Sequence, residues 1–125
     1  MKVAGIGFRA SATLADLRQA LDLLQAQPDA LASLQAKAAA EPLKTLAAEL
    51  GLPLIALAEE DIAGEQTLTC SPRIKARFAT GSLAEAAALV GARQVRPGAR
   101  ARLIAPRIVT ANGLATAALA ERLDP

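Results

Sequence analysis

Hydrophobic and polar positions change rhythm several times along the chain. Residues 2–6 form a short apolar run that ends among glycines and reads as a strand buried on both faces. Leu14, Leu17, Leu21 and Leu24 then recur at spacings of three and four, which predicts a helix with one core-facing side. Thr13 or Ser11 caps it, Thr13 with Asp16 making a variant capping box, and Pro28-Asp29 stops it. Residues 30–35 read as a second short strand, although Leu, Gln and Ala also favour helix. Pro42 stands where a first helical residue is expected, followed by the stripe Leu43, Leu46, Ala47 and Leu50, with Gly51 as the stop. Residues 53–57 are a third strand candidate, and Glu59-Glu60-Asp61 an acidic turn.

Beyond this point the pattern is less regular. Residues 67–78 are mixed, with Pro72 in their middle. Ser82-Leu83-Ala84-Glu85 is a full capping box opening an alanine-rich helix that Gly91 should end. Residues 102–105 read as a strand, and residues 114–119 suit either strand or helix, with the turn signal Asn112-Gly113 between them. No repeat or linker divides the chain, so one domain over residues 1–125 is expected. The alternation predicts an α/β fold: a single-domain α/β sandwich with a mostly parallel or mixed sheet flanked by helices.

Composition removes whole classes of function. A hydrophobic fraction of 53% excludes a disordered chain. The chain has no histidine, which excludes Ser-His-Asp and Cys-His machinery and imidazole metal sites. One cysteine, Cys70, permits neither an internal disulfide nor a zinc cluster, and without histidine to activate it Cys70 is expected to be a small, buried or partly buried residue. No metal and no cofactor are expected. The N-terminal residues lack a signal-peptide pattern and no stretch nears the roughly 20 apolar residues of a membrane span. A reducing cytoplasm is the simplest location, with no membrane partner.

Charge adds a direction. The net charge is only +2, but residues 1–70 carry five basic and nine acidic groups, and residues 71–125 nine basic and three acidic. From Arg73 to Arg107, eight basic residues face Glu85 alone. Such asymmetry points to an anionic partner.

Three places could carry chemistry. Gly5-Ile6-Gly7-Phe8-Arg9-Ala10 has the G-x-G-x-x-A form, but the helix signal at Thr13 comes too late for a dinucleotide site. Gly5, Gly7, Arg9, Ser11 and Thr13 still make a donor-rich loop suited to anions, although an ordinary tight loop has the same residues. Arg73-Ile74-Lys75-Ala76-Arg77-Phe78, if extended, aligns three cations on one side, about 7 Å apart. The same row could guard an edge strand; Arg93, Arg96, Arg100, Arg102 and Arg107 nearby favour a partner. Lys37 and Glu41 bracket the start of the second helix, where a solvated cation and a dipole-favoured carboxylate would also be ordinary.

Val3-Ala4-Gly5-Ile6-Gly7-Phe8-Arg9, Leu31-Ala32-Ser33-Leu34, Ser82-Leu83-Ala84-Glu85 and Leu103-Ile104-Ala105-Pro106-Arg107, taken in this order, resemble the segments of the CobE/CbiG C-terminal family of cobalamin biosynthesis. Val3-Ala4-Gly5-Ile6-Gly7-Phe8-Arg9 with Ser11-Ala12-Thr13 is similar to its opening segment and polar loop. Leu31-Ala32-Ser33-Leu34, Lys37, Glu41-Pro42-Leu43, Leu46-Ala47 and Leu52-Pro53-Leu54 resemble its middle. Ser82-Leu83-Ala84-Glu85-Ala86-Ala87-Ala88-Leu89 resembles its helix, and Leu103-Ile104-Ala105-Pro106-Arg107 a strand that usually ends in Pro-Lys. The likeness runs from residue 3 to about 119, and 125 residues match the stand-alone form rather than longer relatives with extra N-terminal domains.

The resemblance implies work on the corrin ring. The expected function is binding or handing on a precorrin or hydrogenobyrinic-acid-type tetrapyrrole, whose many carboxylates a basic, donor-rich surface complements. Gly5, Gly7, Arg9, Ser11 and Thr13 are the expected loop contacts, Lys37 and Glu41 a central polar pair, and Arg107 a carboxylate anchor. No catalytic residue is assigned. Other corrin-pathway enzymes are the expected protein partners. One alternative is an enzyme that opens a ring lactone, with Glu41 or Lys37 moving the proton. A second is a non-specific nucleic-acid binder, opposed by two aromatic residues in all and by the divided charge.

Overall fold

The computed structural model describes residues 1–94 and 99–123; Arg96 lies outside them. Its elements follow the expected alternation: β1 (Lys2–Phe8), α1 (Leu14–Leu23), β2 (Ala30–Leu34), α2 (Gln35–Ala38), α3 (Glu41–Leu50), β3 (Leu54–Leu57), α4 (Glu59–Ile62), α5 (Pro72–Phe78), α6 (Leu83–Gln94), β4 (Arg100–Val109) and β5 (Ala115–Leu123). The five strands form one mixed sheet in the order β3-β2-β1-β5-β4. β1 pairs in parallel with β2, and β2 with β3. β5 runs antiparallel to both β1 and β4, so the Asn112-Gly113 hairpin does supply the antiparallel side. The fold is α/β, as the sequence pattern implies.

Residue parity in β1 assigns the two layers. Ala4 and Ile6 pack with Leu17, Leu21, Leu43 and Leu46, which places α1 and α3 on one face of the sheet. Val3 packs with Ala86 to Val90, which places α6 on the other. β1 and β2 are therefore buried on both sides, which explains their unbroken apolar runs.

Helix α6 approaches the sheet unusually closely. A Cβ on Gly5 would lie 1.9 Å from the Ala84 carbonyl oxygen, and one on Gly91 would lie 2.9 Å from the Ala32 methyl group. The alanines of α6 and these two glycines are one device: small residues on both partners let backbones meet. Gly91 therefore lies inside α6 rather than ending it, because packing against the sheet selects glycine there.

Other boundaries also differ from the sequence reading. β1 continues through Phe8, so Gly5 and Gly7 are strand residues and the loop begins at Arg9. Helix α1 ends before Pro28, with Gln25 in a left-handed conformation at φ 52°. The acidic segment at residue 59 forms one helical turn. Residues 114–119 belong to a strand. The largest change is at residues 73–78, which are helical, not extended. Pro72 opens this helix, and Ile74 and Phe78, four residues apart, turn half-buried faces inward. Among the described residues, no helix is long and apolar enough to cross a membrane.

Candidate functional site

The carboxyl end of β1 opens into a cavity of about 300 Å³. Gly7, Phe8 and Arg9 form one wall, and Gly113, Leu114 and Thr116 of the β4–β5 hairpin form the next. The two are bonded together: the Thr116 hydroxyl donates to the Gly7 carbonyl at 3.2 Å, and the Arg9 amide donates to the Leu114 carbonyl at 2.9 Å. Ser71, Arg73 and Ile74 close a third side, and Arg107 and Val109 of β4 a fourth. Ser82 and Leu83, at the amino end of α6, also line the space. The partial positive charge of a helix amino terminus favours an anion at this point.

Local bonds hold the hairpin wall in place. The Thr13 hydroxyl accepts the Asp16 amide at 3.3 Å and the Asp16 carboxylate accepts the Thr13 amide at 2.8 Å, so the anticipated capping box is present. The same carboxylate accepts the Asn112 side-chain amide at 2.8 Å, which ties the hairpin turn to the first turn of α1. The bond from Thr13, then that from Asn112, lowers the Asp16 pKa below its ordinary value.

Seven arginines sort into two groups, with Arg100 exposed outside the cavity lining. Arg18, Arg77, Arg93 and Arg102 pair with Glu49, Glu59, Glu65 and Glu121, and Lys44 lies 3.8 Å from Glu41. The guanidinium groups of Arg9, Arg73 and Arg107 form no ion pair among the described residues, and these three side chains belong to residues that line the cavity. No Asp or Glu lines it with them. The apolar remainder of the lining, Phe8, Ile74, Leu83, Val109 and Leu114, gives the charged groups an oily floor. A concave surface with an apolar floor and a few convergent cations suits an organic polyanion.

Glu85 lies beneath this arrangement and is fully buried. As the third residue of α6, its amide donates to the Ser82 hydroxyl at 3.2 Å, one half of the expected capping box. Its carboxylate does not complete that box. One oxygen accepts the Thr69 amide at 2.8 Å and the Thr69 hydroxyl at 3.1 Å, and the other accepts the Arg107 amide at 2.9 Å.

The residues expected to bind ligand separate accordingly. Gly7, Arg9 and Arg107 line the cavity together. Gly5 is buried beneath α6, and Thr13 spends its side chain capping α1. Lys37 stands behind the wall, its Nζ 5.0 Å from the centre of the Phe8 ring. Ser11 is exposed outside the lining, and Glu41, with 84% of its side chain exposed, faces Lys44 instead of Lys37. Cys70 is exposed, contrary to expectation. Arg73 and Glu85 were not singled out individually. Pro72 as a helix start would have placed Arg73 on a first helical turn, and Glu85 is the lone acid in the basic stretch.

Comparison with known proteins gives the family of the chain. The family model described as "Cobalamin synthesis G C-terminus" matches residues 2–120. Among solved structures, the chain is similar to CobE, a protein from the cobalamin (vitamin B12) biosynthetic pathway, with 31% identity and a TM-score of 0.84 over 100% of this chain and 95% of that one. It is also similar to the cobalamin biosynthesis protein chiG from Agrobacterium tumefaciens strain C58, with 33% identity and a TM-score of 0.69 over 99% of this chain and 100% of that one. No curated protein matches it. A match across nearly the whole chain, together with two end-to-end structural relatives above 30% identity, places this protein in the CobE/CbiG C-terminal family of cobalamin biosynthesis.

Proposed function

We propose that this protein binds a polycarboxylated precorrin-type tetrapyrrole at the cavity and hands it on within the cobalamin pathway. The observation that carries the proposal is the clustering of Arg9, Arg73 and Arg107, whose guanidinium groups form no ion pair among the described residues, around one apolar-floored space. Precorrins carry acetate and propionate arms, and guanidinium forks match carboxylates in shape as well as charge. A space of about 300 Å³ is at the small end of ligand pockets, so it takes one edge of the macrocycle and leaves the rest accessible. Such half-exposed binding suits transfer to a second enzyme, in a cytoplasmic setting.

In this reading Gly7, Arg9, Arg73 and Arg107 meet the ligand. Gly5, Thr13 and Lys37 act behind them, by admitting α6, capping α1 and backing Phe8. Ser11 and Glu41 would serve only arms that extend past the rim. Binding is favoured over lactone opening because the lining holds no carboxylate or thiol to move a proton.

Titration with hydrogenobyrinic acid at low ionic strength, followed by its visible bands, tests the proposal. The bands should shift saturably, and added salt should weaken the effect because Arg9 and Arg73 are exposed and Arg107 is only half-buried. Arg9→Ala, Arg73→Ala and Arg107→Ala should each weaken binding about tenfold. No shift at low ionic strength would overturn the proposal.

A further inference from the structure

We propose that Glu85 is a positioning residue for the cleft: its carboxylate fixes the separation of Arg73 from Arg107. The inference rests on the binding role proposed for these arginines, but its geometric core stands independently. Arg73 lies in the first turn of α5, a helix with no fully buried residue of its own. Such a helix takes its place from its flanks, since little apolar area holds it. On the amino-terminal side, the chain at residues 67–71 lies against Gly81, where a Cβ would come within 2.6 Å of the Thr67 hydroxyl and 2.7 Å of the Thr69 carbonyl. The Ser71 amide donates to the Gly81 carbonyl at 2.8 Å. Glu85 supplies the remaining hold, through the amide and hydroxyl of Thr69.

Arg107 lies on the opposite side of the same carboxylate. Its backbone amide donates to the second oxygen at 2.9 Å, in a region where the β4–β5 register shifts between Ala105 and Ile108. At such an irregularity the ladder does not hold the backbone regularly, and an outside acceptor takes the freed amide. One buried carboxylate thus joins two segments that have no other shared anchor among the bonds described. Each segment carries one unpaired guanidinium into the cavity. A ligand with carboxylates on separate arms reads the distance between those guanidiniums, so the clasp sets which spacing is bound well.

Glu85→Gln keeps the size of the side chain but turns one acceptor oxygen into a donor amide, facing either Thr69 or Arg107. Glu85→Asp keeps the charge and shortens the reach. Two measurements on the full chain separate this inference from the binding proposal. In the first, no ligand is used: spin labels at Arg73→Cys and Arg107→Cys, on a Cys70→Ser background, report the separation by pulsed electron resonance. The distribution should be narrow with Glu85 and should shift or broaden in both Glu85 variants. An unchanged distribution in a folded variant overturns the positioning role, whatever the ligand.

The second is a binding cycle with hydrogenobyrinic acid. Glu85→Gln should weaken binding about tenfold in the otherwise native chain. In an Arg73→Ala, Arg107→Ala background it should change binding by less than about twofold, since Glu85 acts only through those side chains. Equal losses in both backgrounds would show a general structural role and overturn the inference. If the native chain binds no hydrogenobyrinic acid, the binding proposal fails, and the label distances alone decide the role of Glu85.

Discussion

Asp16 shows how much the cleft depends on single carboxylates outside it. The Thr13 amide, and after it the Asn112 side chain, hold its pKa below the ordinary 3.8. The unfolded chain binds this proton more readily in acid, so the group contributes stability that is present above the ordinary carboxylate value and lost as pH falls through the lowered one. Carbon-detected NMR should place the Asp16 midpoint below 3.8. Asp16→Asn should flatten the loss of stability in the same acid window, measured by urea unfolding at several pH values. Gly5 makes a second residue-scale case. A methyl group there meets the Ala84 carbonyl at 1.9 Å, and backbone cannot step aside as a flexible side chain can. Gly5→Ala should therefore destabilise the fold by about 1–3 kcal/mol in urea unfolding. Neither role was legible from neighbouring residues alone, because the partner of Gly5 is 79 positions later in the chain. The capping box of Thr13 was legible, because its partner is three positions away.

At the scale of elements, local signals carried the first half of the chain. A start signal (Thr13 for α1, Pro42 for α3), an apolar stripe and a stop lie within about four helical turns of one another, so local sequence locates both helices. Helix α5 shows where this fails. Over six residues, alternation of charged and apolar side chains fits a strand, while Ile74 and Phe78 also fit one face of a helix. Pro72 decides for helix, and this changes which cations act together. Arg73 lies at the cavity, whereas Arg77 pairs with Glu59 at 2.9 Å. Arg73→Gln should weaken hydrogenobyrinic acid binding about tenfold, and Arg77→Gln by less than about twofold. Because the Arg77 pair is exposed, its loss should also leave thermal stability nearly unchanged. Helix α6 failed differently: its glycine is chosen by contact with the sheet, and a stop signal has the same letter.

For the whole molecule, the order β3-β2-β1-β5-β4 makes the site. Placing β5 beside β1 joins Gly7 to Thr116, 109 positions apart, and so brings the first loop to the last hairpin. The cavity lies where the neighbours of β1 change from parallel to antiparallel, at the carboxyl end of that strand. The chain leaves β1 to one side through β2 and β3 and returns on the other through β5, and the crevice at the carboxyl end of such a switch in strand order is a usual ligand position in α/β sheets. The alternation of elements made the α/β class legible, and the charge division is what raised the proposal of an anionic partner. Which cations gather could not be read, because that depends on strand insertion and on Glu85 holding two distant segments. The most direct test is amide NMR of the labelled protein titrated with hydrogenobyrinic acid at low salt. The shifted resonances should gather at residues 7–9, 71–74, 82–83, 107–109 and 113–116. Shifts confined to the α1–α3 face, or none at all, would contradict the assignment of this cleft as the place where the tetrapyrrole is held.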